Sequence, residues 1–256
     1  MIGPLIGMVH LGALPGAPRF GGDLAAVLAA ACADARALEA AGFDALLVEN
    51  YGDAPFFAEH VPKVTVAALA RAVTEVRRSV RLPVGVNVLR NDALAALAVA
   101  AATGAAFIRV NVLAGTMHTD QGPITGRAAA VARARAGLGA PVAILADVFV
   151  KHALPPPGLT LEQAAADTWE RGGADGLIVT GTSTGRETSL DDLRRVKAAA
   201  PAAPLYAGSG VTAESVGAVL GVADGVIAGT ALKRDGLVGA PVDPARARAF
   251  VGAARS

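Results

Sequence analysis

The sequence predicts an α/β fold, a single (β/α)₈ TIM barrel, and two observations carry this prediction. Apolar runs of strand length alternate eight times with helical stretches along 256 residues, without a linker or a change of composition. Such alternation gives parallel strands with right-handed crossovers, and eight units in about 250 residues are typical of this barrel. The first strand-to-helix loop, residues 12–22, lacks the G-x-G-x-x-G spacing of an open doubly wound sheet. We therefore expect one barrel domain over residues 1–256.

Strands and helices can be assigned in order along the chain. Continuous apolar runs are typical of strands that are buried on both faces. Helical stretches begin after N-cap residues such as Asp23 and end at glycines such as Gly42. The predicted strands are residues 5–11, 45–49, 84–88, 107–112, 142–150, 177–180, 205–208 and 225–228. The predicted helices are residues 24–41, 64–80, 92–103, 127–138, 161–171, 190–200, 213–220 and 244–254.

Composition narrows the classes of partner. A net charge of +1 and an aromatic content of 4% argue against nucleic acid as the main partner. The single cysteine, Cys32, cannot form an internal disulfide, which favours a reducing compartment. The opening residues run directly into a strand-like segment, so we expect no signal peptide, and the weakly polar run 93–108 is interrupted by Thr103 and Gly104. We expect a cytoplasmic homo-oligomer without membrane insertion, whose alanine-rich helices form either the interface between its subunits or an apolar patch for another partner.

The fifth strand contains charges where an apolar run would be expected. Residues 142–153 read VAILADVFVKHA. If the strand continues through Phe149, alternation places Leu145, Asp147, Phe149 and Lys151 on its inward face. Because burying a carboxylate and an ammonium is costly, we interpret Asp147 and Lys151 as part of a site. The alternatives are a buried ion pair without a function, or a lysine that turns outward into the next loop.

Five consecutive predicted strands finish in polar or ionisable side chains. Active sites of these barrels lie at the C-terminal ends of the strands. The third strand also offers Arg90 and Asn91. We predict Glu49 or Asp147 as general base and Arg109 as stabiliser of an anionic intermediate. The predicted catalytic residues are Glu49, Asn87, Arg109, Asn111, Asp147 and Lys151, with His10 as a ligand-binding residue.

The last three strands end in loops that are rich in glycine and hydroxyl side chains. Such loops bring backbone N–H groups close to an anion, and the loops after strands seven and eight often bind phosphate in these barrels. We predict a phosphate site there, although tight turns alone would also favour glycine. The predicted ligand-binding residues are Thr180, Gly181, Gly185, Gly208, Ser209, Gly210, Gly229 and Thr230.

The loop after the fourth strand, residues 113–126, is longer than most strand-to-helix loops. It carries His118, Asp120 and Gln121 between glycines, which is typical of a lid or a ligand-binding loop, with a surface loop as the alternative. A divalent metal between His10, Glu49 and Asp147 is left open, since no H-x-x-x-H or C-x-x-C motif supports it. No other cofactor is expected.

Seven stretches together resemble one family, the BtpA/SgcQ proteins. They occur in the order of that family and span most of the chain. Many relatives would be expected to have His where this chain has Phe149. The resemblance implies a barrel of the ribulose-phosphate-binding type. The stretches are residues 7–18 (GMVHLGALPGAP), 48–56 (VENYGDAPF), 109–122 (RVNVLAG and TDQG), 146–153 (ADVFVKHA), 179–185 (VTGTSTG), 208–212 (GSGVT) and 223–236 (ADGVIAGTALKRDG).

Two classes of function are compatible with this sequence. The first is an enzyme that acts on a small phosphorylated metabolite, such as a sugar phosphate or a ribosyl phosphate. Isomerisation, epimerisation, retro-aldol cleavage and N-glycosidic cleavage all suit the predicted residues, and Lys151 would be an electrostatic partner or a Schiff-base nucleophile. The second is a non-catalytic assembly or regulatory factor, because fold does not fix function. The resemblance supports both, since a photosynthetic member is linked to photosystem I and others resemble sugar-operon enzymes.

Overall fold

The protein is described by a computed structural model that covers residues 2–139, 141–181 and 188–256. Its strands form a closed barrel in which each strand pairs in parallel with its neighbours in the sequence, and the last strand pairs with the first. This confirms the predicted barrel. The barrel strands are β1 Leu5–His10, β2 Ala45–Glu49, β3 Val84–Asn87, β4 Phe107–Val110, β5 Ala143–Asp147, β6 Gly176–Val179, β7 Leu205–Ala207 and β8 Gly225–Ala228.

A helix follows each barrel strand. Asp23 caps the first helix by accepting a hydrogen bond from the Ala26 amide, and Gly42 ends it in the left-handed conformation, as predicted. A π-helical turn, Asp167–Arg171, continues the fifth helix. The helices are α1 Leu24–Ala41, α2 Lys63–Ser79, α3 Ala93–Thr103, α4 Ala128–Leu138, α5 Leu161–Ala166, α6 Leu190–Ala199, α7 Val216–Leu220 and α8 Pro244–Ala254.

Glycines at the N-terminal ends of strands make room for large side chains inside the barrel. Gly85 pairs with Phe107 in the register, and a Cβ on Gly85 would lie 2.3 Å from the Phe107 ring. Gly225 is placed in the same way beside Tyr206, whose ring would lie 2.6 Å from an added Cβ. Alternating large and small residues therefore fill the barrel interior, which is an apolar floor beneath the strand C-termini.

The fifth strand ends earlier than predicted. β5 stops at Asp147, so the alternation expected through Phe149 does not hold. Phe149 packs instead against apolar residues outside the barrel interior, and Lys151 reaches the barrel mouth from a turn. Residues 148–150 are apolar although they lie in a loop, because a buried loop requires apolar side chains just as a buried strand does.

A small antiparallel sheet covers one side of the mouth. The long loop after β4 forms two strands, Thr116–Thr119 and Gly122–Thr125, and the first of them pairs with Ala153–Leu154 from the loop after β5. Met117 and Ile124 pack under this sheet against Val112 and Val150. The loop predicted as a lid is therefore a packed hairpin. No helix in the described part of the chain is both long and apolar enough to cross a membrane.

Candidate active site

The inward side chains at the C-terminal ends of β1 to β4 lie side by side at one level of the barrel. The strand register pairs His10 with Glu49, Glu49 with Asn87, and Asn87 with Arg109. Each of these follows an apolar residue two positions earlier or a glycine, because alternate residues face the interior. The predicted polar strand ends therefore converge above the apolar floor. Among them, Glu49, Asn87 and Arg109 are almost fully buried.

Glu49 is held on one side and open on the other. Its Oε2 accepts a hydrogen bond of 2.6 Å from Asn87 Nδ2. Its Oε1 lies 3.9 Å from His10 Nε2 and accepts no hydrogen bond from any residue that the structure describes. An anchored carboxylate with one unengaged oxygen is suited to accept a proton from a ligand.

His10 is neutral in this setting. Burial lowers its pKa to about 3, and the positive charges of Lys233 and Lys151 contribute to the same shift. Its Nδ1 is buried and has no hydrogen-bond partner among the described residues. The imidazole therefore offers a neutral ring nitrogen, as donor or acceptor according to its tautomer, rather than a positive charge.

Asp147 belongs to a buried ion pair with Arg109. The guanidinium donates two hydrogen bonds to the carboxylate, of 3.1 Å from Nε and 2.9 Å from Nη2. Asn111 Nδ2 donates a third, of 2.8 Å. Burial opposes the charge of Arg109, but the Asp147 carboxylate outweighs burial and raises the pKa of the guanidinium. Both Asp147 oxygens accept these hydrogen bonds, whereas Glu49 keeps one unengaged oxygen, so the geometry suits Glu49 better than Asp147 for the predicted role of general base.

Lys151 enters the mouth from the turn after β5. Arg90 Nη2 donates a hydrogen bond of 2.6 Å to the Lys151 carbonyl oxygen and so fixes this turn. The ammonium lines the same cavity as His10, Glu49 and Arg109. Arg90 is almost fully buried and is not among the predicted site residues. The sequence signal for Arg90 as a site residue was its position just beyond the end of a strand, three residues after Asn87.

The opposite wall is made by the loops after β7 and β8. The residues of these loops that line the cavity are Gly208, Ser209, Gly210, Gly229 and Thr230. Their backbone approaches closely, since a Cβ on Gly229 would lie 2.8 Å from His10 Cε1. Within residues 2–139, 141–181 and 188–256, the amides of Ser209, Gly210, Gly229 and Thr230 donate no hydrogen bond. These N–H groups are therefore available to a ligand.

The mouth contains a deep cavity that opens into a wider one. The deep part has a volume of about 30 Å³ and the wider part about 350 Å³. Both are lined by His10, Glu49, Arg109 and Lys151, and also by Tyr51, which the sequence analysis did not single out. The Tyr51 ring lies 5.1 Å from that of His10. A space of this size suits a small metabolite.

Several predicted ligand-binding residues lie outside this mouth. Asp120, Thr180 and Gly181 line a separate cavity beside the small sheet. The Gly181 amide donates to Ser209 Oγ, so its contribution to the mouth is indirect. Gln121 is half-buried at the hairpin turn, with its side-chain amide directed to Asp120. Gly185 lies outside the described residues.

A second buried ion pair supports the loop after β8. Lys233 Nζ lies 2.5 Å from Asp34 Oδ2 on α1, and Asp34 Oδ1 accepts a hydrogen bond from the Val242 amide. Lys233 is almost completely buried. The partners are 199 positions apart, so no local motif could have indicated this contact. It fixes the segment that follows Gly229 and Thr230.

The described residues hold no group of three His, Cys, Asp or Glu side chains that could bind a metal ion. Glu49 does lie near His10, but Asp147 is engaged by Arg109 and Asn111. The three residues considered as ligands from the sequence therefore do not form a metal centre.

Comparison with known proteins identifies the family. The model of the BtpA family matches residues 1–256. The chain belongs to the BtpA family. Photosystem I biogenesis protein BtpA of Synechocystis sp. is 47% identical over 248 residues, which are 97% of this chain and 86% of that protein. The putative sgc region protein SgcQ of Escherichia coli is 34% identical over 96% of this chain and 92% of its own length. The resemblance found in the sequence is thereby confirmed.

Solved structures with the same fold are more distant in sequence. Tryptophan synthase of Mycobacterium tuberculosis aligns with a TM-score of 0.63 at 20% identity, covering 99% of this chain and 93% of that one. N-acetylmannosamine-6-phosphate 2-epimerase of Clostridium perfringens aligns with a TM-score of 0.57 at 15% identity, covering 91% and 88%. These similarities establish the barrel fold of this family member.

Proposed function

We propose that this protein is an enzyme that acts on a small phosphorylated metabolite bound in the barrel mouth. One observation carries the proposal: four amides of the β7 and β8 loops are unengaged, and four cations line the mouth against one carboxylate. The cations are Arg19, Arg90, Arg109 and Lys151, and the carboxylate is Glu49, while Asp147 is paired with Arg109. Free amides together with an excess of positive charge favour a phosphate or another anion.

In this proposal the ligand spans the two walls. Its phosphate accepts hydrogen bonds from the amides of Gly210, Gly229 and Thr230. Its other end lies beside Glu49, whose free oxygen removes or returns a proton. Arg109, fixed by Asp147, stabilises the negative charge that develops when the proton leaves. Isomerisation, epimerisation, retro-aldol cleavage and glycosidic cleavage all use such an arrangement.

The phosphate site is tested by a thermal-shift screen against inorganic phosphate, sugar phosphates and nucleotides, with and without Mg²⁺ or Zn²⁺. A ligand at 100 times its Kd should add about 2.7 kcal/mol of stability. The discriminating variant is Gly210→Asp, because aspartate tolerates the left-handed backbone (φ 69°) and places a negative charge at the proposed phosphate. We expect this variant to lose the shift.

Gly236→Asp is the matched control. Gly236 has nearly the same φ, 66°, but does not line the mouth, and an added Cβ would meet no atom within 4 Å. This variant should keep the shift. If Gly210→Asp binds as well as the control, the phosphate does not bind at these loops. Silence of the wild-type protein across the whole panel would contradict the proposed function itself.

A second candidate function is a non-catalytic role in assembly or regulation, which the name of the Synechocystis relative favours. A cavity of about 340 Å³ beside the mouth is lined by apolar residues, among them Phe57, which is 57% exposed. Under this alternative, Glu49→Gln and Lys151→Met would leave the cellular role intact, whereas Phe57→Ser would abolish it. The opposite pattern is expected for the enzyme.

A further inference from the structure

Lys151 is a nucleophile that the acid–base chemistry above does not use. No side chain or carbonyl oxygen in the described ranges hydrogen-bonds to its Nζ, although the side chain lines both parts of the mouth. Burial lowers its pKa. Among the neighbouring charges, Glu49 and Asp147 attract the ammonium, whereas Arg109 and Arg90 repel it, and burial is the largest influence on the pKa. A buried amine flanked by two guanidiniums is more readily deprotonated than a lysine on the surface.

The turn that carries Lys151 is held in place. The Arg90 guanidinium binds the Lys151 carbonyl oxygen, and the next residue, His152, adopts the left-handed backbone at φ 59°. Non-glycine residues rarely adopt this conformation, so the turn is specified by its surroundings. Arg90 is thus a positioning residue, and the amine is delivered to a fixed place opposite the loops after β7 and β8. A nucleophile needs such fixed placement to attack a bound ligand.

We propose that the Lys151 amine forms a Schiff base with the carbonyl group of a small phosphorylated aldehyde or ketone. This inference rests on the proposed function, and it specifies the substrate class as a carbonyl compound. Glu49 lines the same cavity as Lys151 and has one unengaged oxygen, and it carries the protons of the reaction. The phosphate stays on the amides of the β7 and β8 loops, so the carbonyl end faces the amine.

The step is balanced without any other reactant. Glu49 takes one proton from the ammonium, and the neutral amine attacks the carbonyl carbon, so that a C–N bond forms and the carbonyl π bond breaks. Glu49 passes the proton that it took from the ammonium to the alkoxide oxygen, which becomes a carbinolamine hydroxyl. A further proton, lost from nitrogen and transferred through Glu49, releases this hydroxyl as water. An ammonium and a carbonyl thus yield a protonated imine and water.

A protonated imine would explain the placement of the remaining groups. It withdraws electrons from the adjacent carbon, so a neighbouring C–H or C–C bond can break heterolytically. The proton that leaves this carbon is accepted by the free oxygen of Glu49 or by the neutral His10, which both line the same cavity. This favours isomerisation, epimerisation or retro-aldol cleavage over glycosidic cleavage, because only the first three use a carbonyl carbon.

Reductive trapping tests the proposal. The wild-type protein is incubated with dihydroxyacetone phosphate or glyceraldehyde 3-phosphate and sodium cyanoborohydride, and the labelled lysine is found by peptide mass spectrometry. The mapping is simple because the chain has only four lysines, at positions 63, 151, 197 and 233. We expect a saturable adduct on Lys151. An adduct spread over the exposed Lys63 and the half-buried Lys197, or no adduct at all, would overturn the proposal.

Three controls separate a Schiff base from simple charge attraction. Glycerol 3-phosphate has the phosphate but no carbonyl, so it should compete with trapping and form no adduct. Lys151→Arg keeps the positive charge but lacks the primary amine, so it should lose the adduct and keep the thermal shift with glycerol 3-phosphate. Lys63→Met, at an exposed lysine, should keep both.

The outcome also distinguishes this inference from the proposed function. If glycerol 3-phosphate shifts the melting point and Gly210→Asp abolishes the shift, but no carbonyl compound is trapped on Lys151, only the Schiff base is wrong. If glycerol 3-phosphate does not shift the melting point and no carbonyl compound labels the protein, both the phosphate site and the Schiff base are wrong. If Lys151→Arg does not fold, the site of labelling in the wild-type protein still decides the question.

Discussion

Removing one partner of the Arg109–Asp147 pair should destabilise the protein more than removing both. The two side chains are 3% and 0% exposed, so neither charge can be solvated when its partner is lost. Breaking a buried pair costs about 3–5 kcal/mol, whereas replacing both partners by apolar residues is often neutral or stabilising. We therefore expect Arg109→Met and Asp147→Leu each to lower the free energy of unfolding by about 3–5 kcal/mol.

The double variant Arg109→Met/Asp147→Leu should recover most of this loss. Its remaining cost comes from Asn111 Nδ2, which loses its acceptor on Asp147, and an unpaired buried donor costs about 1–3 kcal/mol. Urea unfolding followed by circular dichroism measures the free energy of unfolding of all three variants. The slope of this free energy against urea concentration should be similar for each of them. The difference between the double variant and the sum of the singles gives the coupling energy.

Two results would refute this reasoning. Single substitutions that cost less than about 1 kcal/mol would show that the pair behaves like a solvated surface pair. A double variant that costs the sum of the two singles would show that the side chains do not interact. The control is Arg195→Met, which breaks an ion pair with Glu162 whose side chains are 44% and 41% exposed. It should leave the free energy of unfolding nearly unchanged, because exposed ion pairs contribute little to stability.

Two further predictions concern the barrel floor and its mouth. Gly85→Ala places a Cβ 2.3 Å from the Phe107 ring and should lower the free energy of unfolding in urea by about 1–3 kcal/mol. The control is Gly21→Ala, whose Cβ meets no atom within 4 Å and which should leave the stability unchanged. Equal stabilities of the two variants would contradict the packing of Phe107 against Gly85. The folded-state pKa of His10, about 3, lies below its unfolded value of 6.5, so its contribution to stability is complete above pH 6.5 and is lost as the pH falls towards 3. Relative to His10→Gln, the free energy of unfolding of the wild-type protein should fall by about 1.4 kcal/mol for each pH unit between pH 6.5 and pH 3. A difference between the two proteins that does not change with pH would show that the pKa of His10 is not lowered by folding.

The barrel and most of its mouth could be predicted because each depends on a local pattern. Eight apolar runs and their helices define the fold, and the C-terminal ends of β1 to β5 place Glu49, Arg109 and Lys151 on one wall. Alternation identifies inward residues wherever a strand is regular. The glycines of the loops after β7 and β8 also form a local pattern, and this pattern indicates the opposite wall of the mouth.

The remaining features depend on contacts that no local pattern encodes. The sequence could not show that Asp147 is occupied by Arg109 and Asn111, because that depends on side-chain hydrogen bonds between strands. The small sheet was predicted as a loop, since its four-residue strands are stabilised by pairing with Ala153–Leu154 rather than by their own alternation. Thr180 and Gly181 line the cavity beside the small sheet, and no local pattern distinguishes their loop from the glycine-rich loops after β7 and β8.

The ion pair between Asp34 and Lys233 has a consequence for biosynthesis. Asp34 is added by the ribosome 199 residues before its partner. Until Lys233 has been added, the Asp34 carboxylate has no lysine to pair with. A nascent chain that ends near residue 200 includes the residues of the cationic wall but none of the β7 and β8 loop amides. The ligand pocket is therefore completed only after β7 and β8 have been made.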